Sequence, residues 1–177
     1  MTMPMSIPMT LRLMLLIGCL LLLGCAEERA GSASAPAGVD FAHTADQALE
    51  AMRAHATEMK VNGAAVVIHL TGEATTSWES RMVVVGTFLP KGETNVLAVA
   101  YAKAAEMADT FKDSGTSTPA RAVKRGENGW KGGVARKVNG GYVLVAFSGG
   151  KSEDDVAISQ VGLDILARAY SEPPVAK

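Results

Sequence analysis

Apolar residues recur at helical spacing in three separate stretches of the chain, and two runs of β-branched residues lie between each neighbouring pair. Ala45, Ala48, Leu49, Met52, Ala56 and Met59 form one stripe, predicting a helix over Thr44–Lys60 with Thr44 as its cap and Asn62-Gly63 as its stop. Ala64–Leu70 is almost continuously apolar and predicts a central strand. Thr71–Thr76 turns, and Glu79–Leu89 predicts a second strand that pairs with the first as a hairpin. Leu97, Ala100, Ala104, Met107, Ala108 and Phe111 line a second helix over Thr94–Lys112, closed by Ser114-Gly115. Val134–Val138 and Tyr142–Phe147 flank Asn139-Gly140, a strong hairpin signal, because a tight turn between twisted strands needs residues that tolerate positive φ. Ser152, with Asp155 three residues on, reads as a cap for a last helix over Glu153–Tyr170. Ile158, Val161, Ile165, Leu166 and Ala169 face inward, and Pro173-Pro174 stops it. Helix, hairpin, helix, hairpin, helix is an α+β order: an antiparallel sheet of four to five strands with helices packed on it. A fifth strand has room between Arg121 and Gly132, where a short turn over Ala120–Val123 is the other expectation.

One apolar run lies outside this pattern. Leu13–Leu23 follows Arg12, has the length of a secretory leader and is too short to span a bilayer. It ends in Leu22-Leu23-Gly24-Cys25, which resembles the cleavage and acylation signal of bacterial lipoproteins. The expectation is a signal peptide over residues 1–24, a lipid on Cys25 and a tether over 25–38 rich in Ala, Gly and Ser. The folded domain then covers 39–172, with a tail at 173–177. Ala26 stands where an Asp would favour inner-membrane retention, so the expected location is the outer membrane, facing the periplasm, or the outer leaflet of a single-membrane cell. An ordinary secretory signal or an uncleaved anchor is the alternative.

Composition narrows the chemistry. Lys and Arg number 17 against 18 Asp and Glu, so no charge excess invites nucleic acid. The two cysteines are Cys19 and Cys25, so the mature domain has no disulfide, no thiol nucleophile and no Cys-based zinc site. No phosphate loop, dinucleotide fingerprint or His-x-x-His spacing occurs, and no Ser, His and acid are ordered as a triad.

Several local strings resemble the GlcG/HbpS-like haem-binding family, related to the PduO C-terminal domain. They are Gly132-Gly133-Val134, the Asn139-Gly140 turn, Tyr142–Gly150 ending in Ser-Gly-Gly, Lys151–Leu166, and Ala98–Phe111 around Ala102-Lys103-Ala104. The likeness covers residues 44–168. It departs from the family at Thr71-Gly72-Glu73 and Val83–Phe88, near where the family places ligand contacts. The resemblance implies a profilin- or PAS-like domain, often a homo-oligomer, that binds haem, a corrinoid or another small molecule.

Candidate ligand residues follow. His55 and His69 are the histidines that could reach a metal, since neutral imidazole coordinates haem iron. The competing reading makes each a structural histidine with a hydrogen-bond partner, and makes His43 merely exposed. Met52, Met59, Met82 and Met107 read as core filler. Arg121, Lys124, Arg125, Lys131, Arg136 and Lys137 form the sharpest charge asymmetry, with Lys124, Arg125 and Arg136 suited to ligand carboxylates. A solvated loop and a protected edge strand explain the same residues. Ser148-Gly149-Gly150 at a helix start could bind an anion or simply turn the chain. Two functions remain open: a lipid-anchored binding protein, or a non-catalytic assembly lipoprotein that oligomerises without a ligand. A haem-degrading enzyme has only family analogy behind it.

Overall fold

The computed structural model describes residues 39–87, 94–116 and 121–171, all within the compact unit Ser32–Lys177. The expected leader, Cys25 and tether lie outside the described residues, as do Phe88 and Leu89 of the expected second strand, Ala120 of the expected turn and the Pro173-Pro174 stop. Every described element runs between Phe41 and Ser171: α1 (Phe41–Glu58), β1 (Gly63–Thr71), β2 (Trp78–Val85), α2 (Val96–Thr110), β3 (Gly133–Val138), β4 (Gly141–Ser148) and α3 (Ser152–Ser171).

The four strands form one antiparallel sheet in the order β2-β1-β4-β3. Both hairpins form, and the long-range pairing of β1 with β4 joins them, setting Ala65 opposite Phe147 and Val67 opposite Val145. β1 is buried from Gly63 to Leu70, as a central strand should be. Alternation splits its side chains between two cores. Ala65 and Val67, with Val143, Val145 and Phe147, pack under α1 and α3. Val66, Ile68 and Leu70, with Leu144 and Ala146, pack under Ala100, Ala104 and Met107 of α2. Two helices cover one face and a single helix covers the other. Met52, Ile158 and Leu166 are fully enclosed, and each such side chain contributes about 1.5–3 kcal/mol by leaving water.

The helix ends differ from expectation. Asp40, not Thr44, caps α1: its carboxylate accepts from the His43 backbone N–H at 3.2 Å. Thr44 is buried in the first turn, and its hydroxyl donates to the Asp40 carbonyl. Asn95 caps α2 by accepting from Ala98 N–H at 3.0 Å, and Phe111, left-handed at φ 53°, ends it before Ser114-Gly115 is reached. Ser152 is already helical, and Asp155 turns inward rather than closing a capping box. Residues 121–132 form no strand among the described residues. Side chains hold that stretch instead: Arg121 forks onto Glu127 at 2.8 Å, and Glu127 also accepts from the Lys124 backbone N–H.

Candidate functional site

Lys103 lies on α2 between Ala100, Ala104 and Met107, on the side that should be wholly apolar, and is 2 % exposed. Its ammonium donates to Asp155 Oδ2 and to the Phe147 carbonyl, each at 2.7 Å. Asp155, from the first turn of α3, accepts at Oδ1 from Gly150 N–H at 2.8 Å. One buried ion pair thus ties α2 to α3 and to the end of β4. Burial pushes the Lys103 ammonium below its ordinary value and the Asp155 carboxyl above its own, while pairing opposes the shift in each. Gly132, at φ 125°, makes room for the pair: a Cβ there would sit 2.4 Å from Lys103 Nζ.

A cleft of about 390 Å³ opens over this pair. Lys103 and Asp155 reach it from below; Trp130, Lys131, Gly149 and Ser152 are among its walls. Trp130 is 52 % exposed, the most exposed of the large apolar side chains described. Its backbone is held, since the Ser114 hydroxyl donates to the Trp130 carbonyl at 2.8 Å and accepts from Gly133 N–H at 2.9 Å. Gly132 is fixed alongside, its carbonyl accepting from Ser159 Oγ and from Phe147 N–H. A second hollow of about 380 Å³, with Asp113, Val134 and Glu153 in its walls, shares Lys131 and Ser152 with the first. The cleft therefore offers a flat indole, an exposed cation and a buried ammonium, which suits a flat ligand carrying negative charge.

The residues singled out from sequence are scattered. His55 is half-exposed on α1, with Nδ1 3.9 Å from Glu58 Oε2. His69 is enclosed between Tyr170, at 4.4 Å between ring centroids, and Phe41, at 6.2 Å. Among the described residues its Nε2 has no partner, nor has the Tyr170 hydroxyl. Burial pushes His69 below its usual value, with Glu79 opposing, and pushes Tyr170 up to about 12. His43 is exposed and bonds Gln47. Neither His55 nor His69 lines the cleft or the hollow beside it. Lys124 is bound to Asp109 at 2.7 Å, and Arg125 has no ion pair among the described residues. Arg136 stands 3.6 Å from Asp164 in a separate hollow of about 300 Å³ with Arg168, and Lys137 pairs with Glu73. Of the basic stretch, Lys131 is the member that reaches the cleft. The sequence pattern offered Lys103 only as part of a helix string and Asp155 only as a capping acid, and their pairing was not expected, although opposite charges on two otherwise apolar helix faces were the available signal. Among the described residues no three His, Cys, Asp or Glu gather to hold a metal, and no helix is long and apolar enough to cross a membrane.

Fold and cleft define a small antiparallel α+β domain with a ligand-sized opening where β4 passes into α3. Solved structures share this fold. The crystal structure of a PduOC:heme complex matches with a TM-score of 0.55 at 17% identity, over 72% of this chain and 94% of that one. Klebsiella pneumoniae protein ORFY, of family DUF336, matches with a TM-score of 0.50 at 18% identity, over 72% of this chain and 89% of its own. No family model and no curated protein matches the sequence. The likeness drawn from the Gly-Gly strand, the Asn-Gly turn and the Ala-Lys helix therefore holds at the level of fold.

Proposed function

We propose that the chain is a lipid-anchored envelope protein whose folded body binds a small ligand, with haem or another tetrapyrrole as the class to test first. The observation that carries ligand binding is the open cleft of about 390 Å³ with Trp130 in its wall and the buried Lys103 at its base. The solved neighbour holding heme supports the tetrapyrrole class. The residues present suit haem in part. Lys103 and Lys131 can hold its carboxylates and Trp130 its ring. Among the described residues, no His, Met, Cys or Tyr side chain of the kind that ordinarily ligates haem iron lines the cleft. The leader Leu13–Leu23 with Gly24-Cys25 supports the anchor, and Ala26 supports an outer-membrane address facing the periplasm.

Two experiments test this. A Cys25→Ser chain expressed in a bacterial host loses palmitate labelling and membrane fractionation; unchanged labelling and fractionation refute the anchor. The chain from Ala26 onward, which keeps every described element, gives a saturable Soret shift with hemin, and His55→Ala and His69→Ala test iron ligation directly. Unsaturable spectra refute the ligand reading.

The assembly reading has its own support. α2 alone covers one sheet face and leaves Leu97, Tyr101 and the Phe111–Tyr142 ring pair, 4.4 Å between centroids, only partly buried. Sedimentation of the ligand-free chain decides it: a concentration-independent monomer removes this reading.

A further inference from the structure

Resting on the ligand-binding reading, we infer that the cleft recognises a flat ring through its carboxylate and its face, and that a bound metal contributes nothing to the recognition. An ammonium has three N–H groups. Lys103 uses two, on Asp155 Oδ2 and the Phe147 carbonyl, and no third acceptor stands among the described residues. The third is left in a side chain 98 % removed from water that nonetheless lines the cleft. A buried donor without an acceptor is costly, and an incoming carboxylate oxygen relieves that cost with a charge-assisted bond.

Charge at the cleft selects the same partner. Asp155 has both oxygens engaged, one by Lys103 and one by Gly150 N–H, so it presents little free negative charge. Lys131 stands at the rim with no acidic partner among the described residues. The balance over Lys103, Asp155 and Lys131 is one net positive charge, matched to one carboxylate. Trp130, half-exposed beside them, offers a face on which a conjugated ring can lie. Among the described residues nothing that ordinarily takes a haem iron lines the space, so the metal of a metalloporphyrin finds no protein ligand among them.

The test compares three probes on the chain from Ala26 onward, reading tryptophan quenching and porphyrin absorbance: hemin, metal-free protoporphyrin IX, and protoporphyrin IX dimethyl ester. Protoporphyrin IX is expected to bind within about threefold of hemin, and the diester at least about tenfold more weakly, the value of one charge-assisted bond. Trp130→Ala and Lys131→Glu, both at exposed positions, should each weaken protoporphyrin binding. The double variant Lys103→Met with Asp155→Leu removes the donor without stranding a buried charge, and should shrink the difference between acid and ester to what Lys131 alone supplies. Equal binding of acid and ester, or indifference to both surface variants, overturns the inference. Binding of hemin without protoporphyrin also overturns it while leaving the ligand reading standing. Binding of no porphyrin removes both.

Discussion

Replacing Asp155 by Ala tests the centre of the site through stability alone. The carboxylate is 5 % exposed, and the ammonium it meets at 2.7 Å is 2 % exposed, so solvent screening does not reduce the interaction. Removing one partner leaves the other charge buried, which costs about 3–5 kcal/mol in comparable pairs. Gly150 N–H loses its acceptor in the same change, adding about 1 kcal/mol. Removing both charges together behaves differently. Lys103→Met with Asp155→Leu exchanges two expensive desolvations for apolar side chains, an exchange that is neutral or stabilising by about 1–4 kcal/mol in comparable pairs, against about 1 kcal/mol for each of the two backbone groups it strands, Gly150 N–H and the Phe147 carbonyl. Urea unfolding of wild type, both single variants and the double variant closes a double-mutant cycle. The single variants should be strongly destabilised and the double variant should recover most of the loss. An Asp155→Ala cost below about 1 kcal/mol, or a double variant as weak as its worse single parent, refutes the buried-pair reasoning.

Three further outcomes follow from the same structure. Gly149→Ala should cost more than about 2 kcal/mol in urea unfolding, because φ is 156° and the new Cβ would lie 2.0 Å from the Asn62 carbonyl, whereas Gly72→Ala, at φ 83° with open space around it, should cost only about 1 kcal/mol. His69 gives an acid-sensitive slope. Unfolded, the imidazole takes its proton near pH 6.5, but folded it takes it lower, so stability is full above 6.5 and falls as pH drops below it, by at most about 1.4 kcal/mol per pH unit until the folded value is reached. Unfolding curves from pH 7.5 to 5 should show a steeper loss for wild type than for His69→Leu, and parallel losses refute it. Asn95→Ala should cost about 1 kcal/mol in thermal or urea unfolding by removing the cap on Ala98 N–H.

Much of the fold was legible because it rests on local periodicity. α2 and α3 announced themselves by stripes such as Ala100, Ala104 and Met107, and the β3–β4 hairpin by Asn139-Gly140. What escaped depends on residues far apart in sequence. Lys103 and Asp155 are separated by 52 positions, and only the β1–β4 pairing and the packing of α2 and α3 on opposite faces of the sheet bring the middle of α2 to the start of α3. The Arg121–Lys137 stretch misled in the reverse sense. Its charges are close in sequence, yet folding sends Arg121, Lys124, Arg136 and Lys137 to Asp109, Glu127, Asp164 and Glu73. The supposed fifth strand failed for a backbone reason: Gly126, Gly129 and Gly132 all take positive φ, which an extended strand does not use. His69 showed its strand face correctly, but alternation cannot reveal that Tyr170, a hundred residues on, is its ring neighbour.

The buried pair bears on function through its own energetics. If the double apolar variant is as stable as wild type, the ion pair adds nothing net to the fold, and its stabilising role cannot be the account of why two charges sit under the cleft. The polar groups around it are already arranged: Gly150 N–H on Asp155, the Phe147 carbonyl on Lys103, Ser159 and Phe147 N–H on the Gly132 carbonyl. A ligand carboxylate entering there meets a donor already fixed and already stripped of water, so binding spends little on ordering the protein. The charge-neutral exchange should therefore leave unfolding nearly unchanged and reduce the affinity for a porphyrin carboxylate. A simultaneous fall in both would make the pair structural and return the cleft to an ordinary surface hollow.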